Sequence, residues 1–328
     1  MPSDSALEPV IVTAPSSVTF LKSLWEQVGP GRLEWDFSRP GRVSTLDAGS
    51  MEVEDGVLKS LKLEEAGLAG KLKIEGVAGL DWLKLKGNQL TAVEFKNMPK
   101  LGGFTIVDEH LTVLTLGGGL GRLNYGAEVK AGNLSRLEVK GRNKLSELYI
   151  KASRLTDIQP LRRLEDLGVL WVNSDRLIDI NPLAGMRIPN LAIESPLLED
   201  LRPLGHLKIK KSSLQELHIT GRLITDLSPL VKLRACLFCL DIRSPILTDL
   251  RPLARLTKLV ILGVFGDAVT DLSPLAKLSR LMDLVLEGQE MRDFSPLAGL
   301  EEKLGWKLST AGNSKAQLTH SETSAQGF

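Results

Sequence analysis

Cys236 and Cys239 are the two cysteines of this 328-residue chain, and they are spaced as a C-x-x-C pair. Such a pair does redox chemistry where a helix begins after a strand, and it binds zinc when a second pair or two histidines complete the four ligands. The four histidines are scattered, at His110, His206, His218 and His320. Cys239 itself falls inside an apolar frame typical of a strand. We therefore predict no redox centre, no metal site and no cofactor.

A run of glycines, Gly117 to Gly119, is the other feature that could do chemistry, as a phosphate-binding loop. The run does not stand between a strand and a helix, as such a loop must, and it separates two short apolar frames where glycine serves a tight bend. No nucleophile elbow is present either. The sequence predicts a protein that is not an enzyme. The remaining enzymatic hypothesis requires an activity that depends on Cys239.

A repeat organises most of the chain. The stretch from Leu259 to Leu281 reads LVILGVFGDAVTDLSPLAKLSRL, in which an apolar frame is followed by Asp-φ-x-Pro-Leu, where φ is an apolar residue. The aspartate of this signature occurs seven times, at Asp157, Asp179, Asp200, Asp226, Asp249, Asp271 and Asp293. Intervals of 21 to 26 residues are typical of a solenoid in which each repeat forms one coil.

One repeat can be assigned to a strand, a turn and a short helix. Leu262 and Val264 have the period of two that places both side chains on one side of a strand. Pro274 fits the first turn of a short helix because it has no N–H to leave unpaired. Ser273 is then a candidate N-cap, as are Ser228, Ser295 and Asn181 in other repeats. The recurrent aspartate predicts an Asx turn that supplies the turn hydrogen bond where the cap residue is poor.

These repeats resemble leucine-rich repeats of about 22 residues, and the segment VTDLSPLA resembles the internalin type of bacterial repeat. The resemblance implies a parallel sheet on the concave side of the solenoid. The family usually has asparagine at the ninth position of the frame, where its amide forms a ladder between coils. Here that position holds Ser153, Asp175, Pro196, Arg222, Pro245, Asp267 and Gln289. We therefore predict that the asparagine ladder is absent.

Upstream of residue 145 the frame recurs at about half the interval. It begins at Leu58, Ala69, Leu80, Leu90, Leu101, Leu111, Leu120, Leu134 and Leu145. About eleven residues cannot complete a coil, which takes about 20, so two half-repeats should form one coil with a strand on each of two sides. The predicted fold is an α/β solenoid of leucine-rich repeats with a parallel concave β-sheet. Its N-terminal part is β-solenoid-like, and short helices or 3-10 turns lie on the convex side of the C-terminal part.

The domain boundaries follow from these changes of pattern. We predict a disordered leader at 1–17, an N-terminal cap at 18–57, half-repeats at 58–144, full repeats at 145–297, a C-terminal cap at 298–308 and a disordered tail at 309–328. A net charge of +1 gives no reason to expect nucleic acid. The absence of an 18-residue apolar run predicts no membrane-spanning helix. Because the first residues lack a basic region, we predict a cytoplasmic protein, with secretion without a cleavable signal peptide as the alternative.

Function is then expected from a surface. Residues between the buried frame positions point out of the sheet, and aromatic and arginine side chains there have the composition of binding hot spots. The candidate partner-binding residues are Tyr149, Lys151, Trp171, Asn173, Glu216, His218, Asp241, Arg243 and Phe265. The competing interpretation is that Trp171 and Phe265 only pack on neighbouring coils.

We predict a monomeric bacterial scaffold without enzymatic activity that binds a partner protein through its concave sheet. Two narrower hypotheses remain open. One is an immunity or antitoxin protein that neutralises a bacterial toxin. The other is a secreted effector that binds a host protein.

Overall fold

The structure is a computed structural model. It describes residues 10–28, 35–36, 43–45, 51–121, 124–208, 216–300, 307–310 and 315–319. The chain divides into unit 1, Met1–Leu167, and unit 2, Gly168–Phe328. Each unit has its own strands and its own buried side chains, so each is described by itself.

Unit 1 begins with a helix and a small antiparallel sheet. The elements are β1 (Val10–Val12), α1 (Pro15–Val28), β2 (Trp35–Asp36) and β3 (Val43–Thr45), and the strands pair in the order β1-β3-β2. One face of α1 is buried through Phe20, Leu21 and Leu24. Within the described ranges, no helix combines the length and the apolar character that crossing a bilayer requires.

The predicted disordered leader at 1–17 differs from the structure in its described part. Residues 10–12 form β1, and α1 already begins at Pro15. Proline starts the helix because its fixed φ suits the first turn, and β1 is held by pairing with β3. Residues 1–9 lie outside the described residues.

The rest of unit 1 consists of coils that carry two strands each. The strands are β4 (Met51–Glu54), β5 (Val57–Glu64), β6 (Ala69–Glu75), β7 (Trp82–Lys86), β8 (Gln89–Lys96), β9 (Gly103–Val107), β10 (Val113–Leu116), β11 (Gly126–Lys130), β12 (Arg136–Val139) and β13 (Glu147–Lys151). Strands β5, β7, β9, β11 and β13 form one parallel sheet, and β6, β8, β10 and β12 form a second. β4 pairs antiparallel with β5. The prediction of two strands per coil upstream of residue 145 is confirmed.

Apolar side chains from both sheets fill the inside of unit 1. In β7 the frame residues Leu83 and Leu85 are fully buried, and Lys84 between them points outward. The rings of Phe95, from the second sheet, and Phe104, from the first, stack with their centroids 4.4 Å apart. Because each coil contributes such residues to a common core, burial of apolar area couples the coils to one another.

The frame predicted to begin at Leu120 is wrong. A frame that begins at Leu120 would place its two buried strand residues three and five positions later, at 123 and 125. Instead, β11 begins at Gly126 and buries Ala127 and Val129. Pairing with β9 sets this register, with Ala127 opposite Phe104. The connection from β10 to β11 is longer than the others, so the strand starts later than a constant interval predicts.

Each outer strand of the second sheet accepts a hydrogen bond from a side chain outside the sheet. Next to β6, the first strand, Gln27 from α1 donates its Nε2–H to the Ala69 carbonyl at 2.6 Å. Next to β12, the last strand, Arg163 donates from Nη1 to the Val139 carbonyl at 3.1 Å. Arg163 ends the 3-10 helix Gln159–Arg163, which follows β13 where a further strand of the second sheet would otherwise stand.

Two buried polar side chains tie the loops of unit 1 together. Asn88 accepts a hydrogen bond from the Leu68 N–H at 3.3 Å through Oδ1. Asp108 accepts from the Leu90 N–H at 3.0 Å through Oδ2 and from the His110 N–H at 3.0 Å through Oδ1. Both side chains are buried. They satisfy backbone donors that water does not reach.

We expect Asp108→Ala to lower the free energy of unfolding by about 2 kcal/mol, because it leaves the buried Leu90 N–H without an acceptor. Asp108→Asn keeps one acceptor oxygen and should cost less. Urea unfolding followed by circular dichroism measures both variants. An alanine variant as stable as the wild type would contradict this role of the carboxylate.

Unit 2 has one strand and one 3-10 helix in each coil. Its parallel strands are β14 (Val169–Asn173), β15 (Asn190–Glu194), β16 (Glu216–Thr220), β17 (Cys239–Arg243), β18 (Ile261–Phe265) and β19 (Asp283–Glu287). Its 3-10 helices are Asn181–Leu183, Arg202–His206, Ser228–Leu233, Arg251–Arg255, Ser273–Lys277 and Ser295–Leu297. The predicted fold class, a leucine-rich-repeat solenoid with two kinds of coil, is confirmed.

All seven aspartates of the repeat signature form the predicted Asx turn. Their Oδ1 atoms accept at 2.7 to 2.9 Å from the backbone N–H two residues later, on Gln159, Asn181, Arg202, Ser228, Arg251, Ser273 and Ser295. The prediction that serine or asparagine caps these helices is wrong. Those residues already belong to the 3-10 helix, and the residue before each helix is apolar. The aspartate supplies the acceptor in place of a cap.

The ladder between the coils of unit 2 is built on small residues. The residue directly after each strand is serine or glycine: Ser174, Ser195, Gly221, Ser244, Gly266 and Gly288. Ser195 donates from Oγ to the Leu177 carbonyl at 2.6 Å, and Ser244 donates to the Ile224 carbonyl at 2.7 Å. The asparagine that is usual in the family is therefore replaced by serine one position earlier in three of these coils and by glycine in the other three.

Two further strands occupy part of the segment predicted as a disordered tail. β20 (Lys307–Thr310) pairs antiparallel with β21 (Lys315–Thr319), and β21 pairs antiparallel with β19. The edge of β19 offers unpaired backbone groups, which a polar segment can pair without any apolar periodicity. Residues 301–306 of the predicted cap and residues 311–314 and 320–328 of the tail lie outside the described residues.

Acid should weaken unit 2 through its Asx turns. Side-chain hydrogen bonds from Arg202 and Arg251 hold the pKa of Asp200 and Asp249 below the ordinary value. Because folding lowers these pKa values below the unfolded value of about 3.9, the stabilisation is complete above about pH 5 and is lost as the pH falls further. We expect the free energy of urea unfolding to fall from about pH 5 to about pH 3.

The matched control is the double variant Arg202→Met/Arg251→Met, in which the same fall should be smaller. An identical fall in the variant would mean that other carboxylates dominate the acid response.

Candidate functional site

The strands of unit 2 present one outward surface, which we call the unit 2 face. The second and fourth residues of each strand are buried, and the first, third and fifth point to this face. Strand pairing aligns the third residues in a central row of Trp171, Ala192, His218, Asp241, Gly263 and Val285. The fifth residues form a row of Asn173, Glu194, Thr220, Arg243, Phe265 and Glu287.

Seven of the predicted partner-binding residues lie on the unit 2 face. They are Trp171, Asn173, Glu216, His218, Asp241, Arg243 and Phe265. The period of two within each strand is enough to predict this orientation. In β16, near the middle of the sheet, the outward side chains of Glu216 and His218 are both exposed.

At one end of the face, Glu194 holds two of the predicted residues. The Trp171 indole N–H donates to Glu194 Oε1 at 2.9 Å, and the Asn173 amide donates to Oε2. One carboxylate thus fixes the rotamers of two side chains on the neighbouring strand. Sequence analysis missed Glu194, although it occupies the same repeat position as Asn173 and Arg243.

Toward the other end, Arg243 lies between an acid and an aromatic ring. Its Nε is 3.1 Å from Asp241 Oδ1, and its guanidinium carbon is 3.6 Å from the centre of the Phe265 ring. A cation above a ring face is attracted by the ring quadrupole. Gly263 provides the room for this arrangement, since a Cβ there would lie 2.9 Å from Asp241 Oδ2 and 3.0 Å from Phe265 Cε2.

An open groove of about 340 Å³ begins beside this group. It is bordered by Arg222 and Arg243 on one side and by Asp267 and Glu287 on the other, with Phe265 among its lining residues. Charges of both signs around an aromatic side chain are typical of protein interfaces.

Tyr149 and Lys151 lie on β13 of unit 1. The Tyr149 hydroxyl donates to Glu147 Oε2 at 3.2 Å. Partial burial, together with the negative charge of Glu147, raises the pKa of the Tyr149 hydroxyl. The Lys151 side chain is exposed at the end of the strand.

The C-x-x-C pair has the chemistry of structural thiols. The Cys236 thiol is buried and donates to the Leu233 carbonyl at 3.1 Å. Burial raises the pKa of Cys239 to about 11, and the charges of Glu216, Asp241 and Asp283 raise it as well. Since the thiolate is the reactive form, Cys239 is suppressed as a nucleophile at neutral pH. Within the described ranges, no group of three or more His, Cys, Asp or Glu side chains is arranged to hold a metal ion.

We expect Cys239 to react with iodoacetamide far more slowly at pH 7.5 than an unhindered cysteine, and the rate to rise as the pH approaches about 11. Mass spectrometry of the peptide that contains Cys239 measures the rate. Asp241→Asn should speed the reaction by removing one negative charge. A rate equal to that of free cysteine at pH 7.5 would contradict the raised pKa.

The comparisons with known proteins give similarity in structure only. No protein-family model and no curated protein matches the chain. One similar solved structure is the crystal structure of an internalin C2 from Listeria monocytogenes, whose sequence is 29% identical to this chain. Its TM-score is 0.38, and the match covers 52% of this chain and 68% of that chain. An internalin, inlF, from the same organism is 21% identical, with a TM-score of 0.46, and the match covers 89% of this chain and 83% of that chain.

The identity of the fold rests on the repeat itself. The seven Asp-φ-x-Pro-Leu signatures each form an Asx turn into a 3-10 helix, and the frame residues before them form stacked parallel strands. The chain therefore has the architecture of a leucine-rich-repeat solenoid, and its Asp-φ-x-Pro-Leu repeats resemble those of the internalin type.

Proposed function

We propose that this chain is a scaffold without enzymatic activity that binds a partner protein through the unit 2 face. One observation carries the proposal: two groups of outward side chains are fixed by contacts among themselves. Glu194 holds Trp171 and Asn173, and Asp241 with Phe265 holds Arg243. Tryptophan and arginine are the residues most enriched in binding hot spots.

Fixed side chains favour binding because their entropy is already lost. An interface pays about 0.5 to 1.5 kcal/mol for each mobile side chain that it orders. Trp171 and Arg243 avoid part of that cost, since their partners on the same face hold them in place. Both remain accessible, because Trp171 is only partly buried and half of the Arg243 side chain is exposed, at 49%.

The proposal leaves the partner to experiment. A toxin bound in a bacterial lysate would support the immunity or antitoxin hypothesis. Export of the protein and capture of a host protein would support the secreted effector. We propose a cytoplasmic location for the first case and secretion without a cleavable signal peptide for the second.

We expect Trp171→Ala to weaken partner binding by about 2 kcal/mol or more, roughly 30-fold, as loss of a hot spot does. The experiment is a pull-down from native lysate, followed by measurement of Kd with the purified partner. Lys277→Ala, on an exposed position of a 3-10 helix, is the matched control and should bind like the wild type.

Thermal unfolding separates binding from folding. The Trp171→Ala variant should melt within a few degrees of the wild type. A drop of many degrees would make Trp171 a core residue. Equal partner retention by the wild type and a stably folded Trp171→Ala variant would move the site off the unit 2 face.

A further inference from the structure

The first sheet of unit 1 carries an aromatic pair that the function above does not use. Trp82 starts β7, and Tyr125 directly precedes β11. Their rings stand at 76° to each other with centroids 6.2 Å apart. Tyr125 is 65% exposed, and Trp82 is half-buried. Sequence analysis predicted neither residue as a contact.

Glycines form the surface on which these rings lie. In the sheet, Trp82 is opposite Gly103, which is opposite Gly126. A Cβ on Gly103 would lie 2.8 Å from Trp82 Cε3, and a Cβ on Gly102 would lie 2.9 Å from Tyr125 Cε2. Both contacts are closer than real Cβ atoms approach a ring. The rings therefore rest against bare backbone.

Carboxylates flank the aromatic pair on both sides. Asp81 lies against Gly102 together with the Tyr125 ring, and Glu147 Oε2 lies 3.3 Å from the position of a Gly126 Cβ. Among the described residues, neither Asp81 nor Glu147 has a lysine or arginine within ion-pair distance. We call Trp82, Tyr125, Asp81 and Glu147 the aromatic corner.

Two lysines of this sheet are paired with other acids, whereas Lys59 and Lys100 border the same groove as Asp81. Lys84, on the same strand as Trp82, lies 2.6 Å from Glu64, and Lys130 lies 2.6 Å from Glu128. Asp81 and Glu147 place negative charge beside the two rings.

We propose that the aromatic corner binds a lysine or arginine side chain of a partner protein. Ring faces attract cations, and two nearly perpendicular rings with carboxylates beside them have the composition of a cation-binding cage. The ammonium or guanidinium contacts the ring faces, and its N–H groups donate to Asp81 and Glu147. The inference concerns unit 1 and stands apart from the unit 2 face.

Two peptides test this proposal directly. Acetyl-Gly-Arg-Gly-amide carries the cation, and the same peptide with citrulline in place of arginine is its neutral isostere. The protein is titrated while indole N–H signals are followed by NMR, and a Trp82→Phe variant assigns the Trp82 signal. We expect the arginine peptide to shift that signal saturably, with a Kd on the order of millimolar, and the citrulline peptide to bind at least about tenfold more weakly.

Variants then assign the residues. Tyr125→Ser should weaken the arginine peptide roughly threefold to fivefold, and the fold should be kept because Tyr125 is largely exposed. Asp81→Asn/Glu147→Gln should weaken it further and reduce its dependence on salt. Trp171→Ala should leave the response of Trp82 unchanged.

Two outcomes would overturn the proposal. Equal shifts from the arginine and citrulline peptides would show neutral stacking rather than recognition of a cation. Absence of any saturable shift would show that no basic side chain is bound at the aromatic corner. Either result leaves the proposed role of the unit 2 face standing, because the peptide does not report on that face.

Discussion

The backbone N–H and C=O groups of each strand must find hydrogen-bond partners on the strands of the neighbouring coils, and the repeat depends on this constraint. A strand pairs with both neighbours, so the chain must return to the same register after every circuit. In unit 2 the residue directly after each parallel strand is serine or glycine, as at Ser195 and Gly288, and the Asx turn then directs the chain into a 3-10 helix. The apolar frame stabilises the coil, and these polar contacts fix the path of the chain after each strand.

The same close stacking governs the outer surface. Strands about 4.8 Å apart bring each outward side chain over its neighbour. At two places a large side chain lies over a neighbouring glycine, since Trp82 lies over Gly103 and the Arg243 group lies over Gly263. These glycines therefore shape both surfaces, because they leave the space in which an aromatic ring or a guanidinium group lies.

The sequence predicted what depends on local spacing. The frame of Leu262 and Val264 gave the strands, and the recurrent aspartate gave the turns, because each rests on contacts within a few residues. What the sequence did not give depends on neighbouring coils. Glu194 acquires its role only from the strand beside it, and β11 takes its register from β9. Pairing of β21 with β19 likewise needs only an open backbone edge, which no periodicity in the polar segment reveals.

The covered edges of the second sheet in unit 1 have a consequence for self-association. An open parallel sheet offers its outer strands to any extended chain, including another copy of the same protein. Gln27 occupies the Ala69 carbonyl on one side, and Arg163 occupies the Val139 carbonyl on the other. A stack of regular coils is close in geometry to a fibril. Each of these two hydrogen bonds removes one acceptor from an outer strand and so reduces its ability to pair with another chain.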